Sequence, residues 1–124
     1  EGKNLIVNGQ GTQKRNFIYV EDLARGSVLA INAANTANKI LTIAGKKSIS
    51  IIDLAKQVNM IFNESVKIET NHKGLREHDY IGDINDIDKT FLTLGWEPKV
   101  SLKNGIKKYT KWYSNSVFNP ETKK

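Results

Sequence analysis

Arg15, at the end of Gly9-Gln10-Gly11-Thr12-Gln13-Lys14, is the residue whose type and setting point most directly to chemistry. A guanidinium beside a glycine turn can grip two phosphate oxygens at once, in a fork geometry that lysine cannot copy. A second charged group, Arg76-Glu77-His78-Asp79, lies farther along, with His72 shortly before it. On residue type alone, an exposed arginine ending a strand and a solvated charge cluster describe the same residues, and both are common.

Other arrangements of these residues fail on spacing. Gly9-Gln10-Gly11 begins like a dinucleotide fingerprint, but the third glycine position is Lys14 and no long helix opens directly after it. Gly45-Lys46-Lys47-Ser48 looks like the end of a phosphate loop, yet the earlier glycine position is Ile40. His72, Glu77, His78 and Asp79 offer metal-ligand types without the spacing of a helical zinc motif, so no metal site is expected. With no cysteine there is no thiolate ligand, thiol nucleophile or disulfide framework. A Gly-x-Ser-x-Gly elbow is missing from the sequence too, which removes that hydrolase class.

The elements that must hold these residues can be read from periodicity. Leu5-Ile6-Val7 predicts a short buried strand, followed by the turn Asn8 to Gly11. Phe17-Ile18-Tyr19-Val20 predicts a second strand. Glu21 and Asp22 then place negative charge at the positive end of a helix whose apolar positions are Ala24, Val28 and Ile31 and which runs to about Ala34. Ile40 to Ile43 predicts a third strand, closed by Ala44-Gly45. Ser50-Ile51-Ile52-Asp53 has the form of a capping box, ahead of a helical face of Ile51, Ala55, Val58 and Phe62. Val66 to Thr70 alternates as a half-exposed strand, and 71–82 reads as loop.

Asn85 to Asp88 can cap a helix with the face Ile84, Ile87, Phe91 and Leu94. Gly95 is its left-handed stop and Pro98 prevents continuation. Ser101 caps a final helix expected to bury Leu102, Ile106, Tyr109 and Tyr113, with a frayed end from Asn119.

At 124 residues the chain suits one domain, expected over 1–118 with 119–124 as a tail. The start lacks Met and a signal pattern, and Met60 is the only methionine, so a piece of a longer gene product or a removed tag is expected. The net charge of +6 is concentrated near the C-terminus, but Lys103, Lys107 and Lys111 recur every four residues as one helix stripe. That pattern fits a solvated face, and the sequence carries no helix-turn-helix or aromatic ribonucleoprotein signature, so no nucleic-acid partner is expected. Nor is a membrane partner, since no apolar run nears the ~20 residues a spanning helix needs. A cytoplasmic setting fits the cysteine-free composition.

Taken in order, Gly-x-Gly-x-Gln-x-Arg-x-Phe-x-Tyr-Val-x-Asp over Gly9–Asp22, then Arg76 to Asp79, then Leu94-Gly95-Trp96-Glu97-Pro98, resemble the extended short-chain dehydrogenase/reductase family, in its nucleotide-sugar epimerases and dehydratases such as UDP-glucose 4-epimerase and dTDP-glucose 4,6-dehydratase. The resemblance runs from about Leu5 to Tyr113. It implies an α/β fold: a mixed α+β substrate-binding lobe of short strands and about four helices, without the N-terminal Rossmann sheet. It implies that Arg15 and Arg76 hold the nucleotide diphosphate and that Asp79 accepts from the ribose or orients an arginine. It also places Val7, Asn8 and Gln13 at base or pocket contacts. Asn8 stands where many members have a ring that stacks on the base, Asn16 where Asp is usual and His78 where glycine is usual.

The family chemistry removes a hydride from a sugar carbon to NAD. The base is the Tyr of Tyr-x-x-x-Lys. The residues four beyond Tyr19, Tyr80, Tyr109 and Tyr113 are Leu23, Ile84, Tyr113 and Val117, so that pair is not in this sequence and no catalytic or NAD-binding residue is assigned to it. The resemblance thus implies the C-terminal part of an NAD-dependent enzyme acting on a UDP- or TDP-sugar, a homodimer when complete. The chain alone is expected to be inactive. The competing reading is a standalone binding or interaction module that kept the fold and lost the chemistry; a Tyr-x-x-x-Lys segment encoded upstream of Glu1 would favour the enzyme.

Overall fold

The strand expected at Leu5 forms and reaches one residue further, to Asn8 (β1, Leu5–Asn8), but of its apolar residues only Val7 is buried, Ile6 being 66% exposed. The computed structural model describes residues 4–62, 66–71 and 87–118. β1 pairs in parallel with β4 (Ile68–Asn71), matching Leu5 to Ile68 and Asn8 to Asn71. Parallel strands need a long crossover, and here it contains α1 (Val20–Asn32), a 3₁₀ turn (Ala34–Thr36) and α2 (Ile51–Phe62). Within it, β2 (Lys14–Arg15) runs antiparallel to β3 (Ile49–Ser50). After β4 come α3 (Ile87–Leu94) and α4 (Leu102–Phe118). The described residues thus form a mixed α/β unit of four helices and short strands, as expected. No described helix is long and apolar enough to cross a membrane.

Two expected strands differ. Phe17 to Val20 forms no ladder: the paired residues lie earlier, at Lys14–Arg15, and Val20 already begins α1. Extended backbone continues through Tyr19 (φ −78°, ψ 142°) without a strand partner among the described residues. Ile40 to Ile43 likewise pairs with no described strand, and Ile40 is 86% exposed. Its anchor is a side chain instead, Thr90 Oγ1 of α3 donating to the Thr42 carbonyl at 2.7 Å. α1 stops at Asn32, two residues short of the expected end. Ile84 and the proposed cap residues Asn85 and Asp86 lie outside the described residues, as does Asn119 onward.

Ser50 caps α2 as expected, Asp53 N–H donating to Ser50 Oγ at 3.1 Å, while the Asp53 carboxylate accepts from the Ser50 hydroxyl at 2.6 Å in place of the backbone N–H of a full capping box. Gly95 ends α3 at φ 61°, and its N–H returns to the Phe91 carbonyl at 2.7 Å. Ser101 Oγ accepts from Asn104 N–H at the start of α4.

Two of the most deeply buried side chains, Trp96 and Asp22, lie where α1 meets the turn between α3 and α4. Asp22 is 3% exposed, and its carboxylate accepts from the backbone N–H of Lys99 (2.9 Å) and Val100 (2.7 Å) and from Arg25 Nη2 (2.8 Å). Arg25 also donates to the Glu97 carbonyl and stands 5.7 Å from the Trp96 ring centroid. Trp96, 1% exposed, donates its Nε1–H to the Asp22 carbonyl at 3.2 Å, so its one polar group is satisfied in the core. Gly26 makes this approach possible, since a Cβ there would lie 3.0 Å from Trp96 Cε2 and Nε1. A second tie joins α4 to the start of α1: Lys108 Nζ meets Glu21 Oε2 at 2.9 Å and lies 4.9 Å from the Tyr19 ring centroid.

Burial opposes the charge on Asp22, but the bonds from Arg25, Val100 and Lys99 outweigh it and hold the carboxyl below its ordinary value of 3.8. The folded state therefore binds the Asp22 proton less readily than the unfolded chain. The resulting stability is complete above that ordinary value and is lost as pH falls through the lower folded value. Asp22→Asn keeps the shape but sets an amide donor against backbone donors. It is expected to reduce unfolding free energy by about 2–4 kcal/mol at pH 7. In urea melts, the gap between wild type and variant should narrow by pH 3.

Candidate functional site

The glycine turn after β1 is built so that β2 crosses the N-terminus of α2. Gly9 and Gly11 adopt φ 70° and 69°, and Gly9 N–H donates to the Asn71 carbonyl at 2.8 Å, extending the β1–β4 ladder. Gly11 is required twice over. Its φ is left-handed, and a Cβ would lie 2.8 Å from Val7 Cγ1 and 2.9 Å from Ile52 Cβ. Its carbonyl accepts from Ile52 N–H (3.0 Å), and that of Gln13 accepts from Ile51 N–H (3.1 Å).

With Asp53 N–H on Ser50 Oγ, the first three amides of α2 are all spent inside the protein. The helix end here holds its own chain in place and offers those amides to no anion. Negative charge arriving beside this turn would meet the half-buried guanidinium of Arg15, on β2 opposite Ile49. Arg15 Nη1 donates to the Lys14 carbonyl at 2.8 Å.

Four of the six residues singled out from the sequence thus belong to one turn. Val7 is 5% exposed and packs beneath Gly11, Asn8 is exposed at the end of β1, and Gln13, just before β2, and Arg15, on β2, are half-buried. Arg76 and Asp79 lie outside the described residues, as do both histidines and Glu77. β4 ends at Asn71, the register partner of Asn8, which brings the strand preceding that segment to the same side of the turn. Among the described residues no group of His, Asp and Glu could hold a metal ion. The turn does not fit a dinucleotide: the third glycine position, Lys14, lies in a strand, and the nearest helix amides are occupied.

Beyond Arg15 the backbone is pinned by Gly45. The Asn16 amide donates to the Gly45 carbonyl at 3.0 Å, and Gly45 presses on the Phe17 backbone so closely that a Cβ would overlap the Phe17 carbonyl oxygen. Sequence reasoning noted Asn16 only as standing where Asp is usual and did not find this contact with Gly45. It also read Asp22 only as a helix-dipole residue, whereas Asp22 bonds the turn at Lys99 and Val100. An acid one turn before an arginine, Asp22 ahead of Arg25, was the available signal.

Two concavities flank this scaffold, and none of Val7, Asn8, Gln13 or Arg15 lines either. One, about 710 Å³, is apolar and lies between Phe17–Val20, α2 and α4. Tyr109 and Tyr113, expected in the core, border it instead at 57% and 44% exposure, with rings 6.2 Å apart. The other, about 790 Å³, is rich in lysine.

The family described as GDP-mannose 4,6 dehydratase matches residues 1–109. Curated relatives include the putative UDP-glucose 4-epimerase of Methanocaldococcus jannaschii, 33% identical over 94% of this chain and 36% of its own length. Another is the human dTDP-D-glucose 4,6-dehydratase, 31% identical over 94% of this chain and 34% of its own length. Among solved structures, UDP-glucuronic acid 4-epimerase from Bacillus cereus in complex with NAD superposes with a TM-score of 0.77 at 27% identity, over 93% of this chain and 35% of that one. The chain therefore spans about a third of the length of the relatives it matches.

Gly45→Ala is expected to push the 44–47 loop off Phe17 and cost about 1–3 kcal/mol, the range for inserting a methyl where no room exists. Urea melts check the magnitude, and amide shifts at Asn16 and Phe17 report the displacement beside Arg15.

Proposed function

The chain belongs to the GDP-mannose 4,6 dehydratase family, and from that membership we propose that it is the sugar-nucleotide-binding part of an NAD-dependent epimerase or dehydratase. In this reading it forms a single domain over 1–118 with a tail at 119–124. Arg15 takes the diphosphate of a UDP- or TDP-sugar, Arg76 joins it, and Asp79 accepts from the ribose or orients an arginine. Val7, Asn8 and Gln13 make base or pocket contacts. The observation that supports it most is the glycine turn, which satisfies the amides at the start of α2 internally and leaves a guanidinium as the group suited to phosphate. The relatives' names supply the substrate class, and the solved epimerase structure in complex with NAD supplies the cofactor.

The proposal gives this chain binding and orientation only. Hydride transfer falls to the remaining two-thirds, represented in the relatives' length and not in this sequence. That remainder also has surfaces to cover here. Val28, Ile31, Ile40 and Leu92 are 56%, 82%, 86% and 82% exposed. In this proposal the remainder covers them. A homodimeric, cytoplasmic complete enzyme is part of the same proposal.

In the complete enzyme, Arg15→Ala and Arg76→Ala are each expected to weaken UDP- or TDP-sugar binding by about 2–5 kcal/mol, the cost of removing one partner of a desolvated charge pair. Titration calorimetry reads this directly, and affinities unchanged by both substitutions would overturn the phosphate assignment. The 124-residue protein, supplied with NAD and either sugar nucleotide, is expected to show no turnover; detectable product would remove the division of labour proposed here.

A further inference from the structure

We propose that the lysine-rich groove beside α2 binds a small, multiply charged phosphate anion, at a site separate from Arg15. Three chain segments converge on it. Lys46 and Lys47 come from the loop after Gly45, Lys56 from α2, and Lys99 from the turn before α4. The concavity of about 790 Å³ lies within the range of small-molecule sites. Among the described residues Asp53 is the one carboxylate lining it, and that group is already engaged by the Ser50 hydroxyl and by Lys56 at 3.2 Å. Lys46 reaches Glu97 at 3.3 Å, while Lys47 and Lys99 have no carboxylate partner among the described residues. The groove therefore carries an excess of positive charge that the described residues do not neutralise.

Its walls are fixed before any ligand arrives. Gly45 is held by Asn16 and pressed on Phe17, and the backbone of Lys99 and Val100 is bonded to the buried Asp22 carboxylate. Preorganised cations lose less freedom on binding than cations on a mobile tail. Ser48, Gln57 and Ser101 add neutral polar groups, and Phe17 and Met60 add apolar surface. Cations on a compact, partly apolar concavity favour a small phosphorylated molecule over an extended polypeptide.

Inorganic pyrophosphate, titrated into the 124-residue protein at constant ionic strength and followed by amide chemical shifts, tests the site. Shifts are expected at Lys46, Lys47, Ser48, Lys99 and Ser101. Lys47→Gln with Lys99→Gln should weaken the affinity they report by at least about tenfold, while Arg15→Gln leaves it within a factor of about two, since Arg15 does not line the groove. Both lysines are exposed, so the double variant should keep the fold, and unchanged shifts in α1 and α3 confirm it.

Pyrophosphate shifts confined to Gly9–Arg15 and abolished by Arg15→Gln would overturn the groove while supporting the diphosphate site. Sodium chloride reproducing the same shifts would overturn it as plain screening. A hexaglutamate peptide acting on the groove where pyrophosphate does not would overturn it in favour of an acidic polypeptide.

Discussion

The buried carboxylate of Asp22 is the constraint on which the described fold turns. One side chain near the start of α1 accepts two backbone amides from the turn that launches α4 and a guanidinium from its own helix. Its main-chain carbonyl takes the indole of Trp96. A charged group this deep is tolerable only when its lone pairs are met. The requirement therefore fixes three things together: the direction of α1, the path of 95–100, and the starting point of α4. Gly26 and Gly95 are consequences of it, one making room for the indole and the other turning the chain toward it.

Most helices were legible in the sequence because each carries its own local signals. Ser50 with Asp53, Gly95, Pro98 and Ser101 act within a few residues, so the reading and the structure agree at α2, α3 and α4. The strands were less legible, because a ladder depends on what lies alongside. Phe17 to Val20 and Ile40 to Ile43 have the composition of strands, yet no described strand lies beside them. Lys14-Arg15 has no such composition and is paired because the turn before it and α2 after β3 put it there. Tyr109 and Tyr113 teach the same lesson for burial. Helical spacing identifies an apolar face, and only the neighbouring element decides whether that face is covered.

The site was legible in part for a similar reason. The glycine turn and Arg15 form one continuous stretch, so their association is local and readable. What local reading could not supply is the use of the α2 amides, which go to the carbonyls of Gly11 and Gln13 rather than to solvent. The role of Asn16 was hidden in the same way, since its acceptor at Gly45 is far along the chain. The lysines after Gly45 matched no motif, and their grouping with Lys56 and Lys99 is a property of the folded surface alone.

The parallel pairing of β1 with β4 carries a kinetic consequence. Every residue from Gly9 to Lys67 must be gathered before Leu5 can meet Ile68, and the loop-closure entropy of so long a span is lost before its contacts form. The helices inside the span can collapse early on local signals, leaving the sheet to close late. During that interval β1 is an unpaired edge bearing Leu5, Ile6 and Val7, open to wrong pairing between nascent chains.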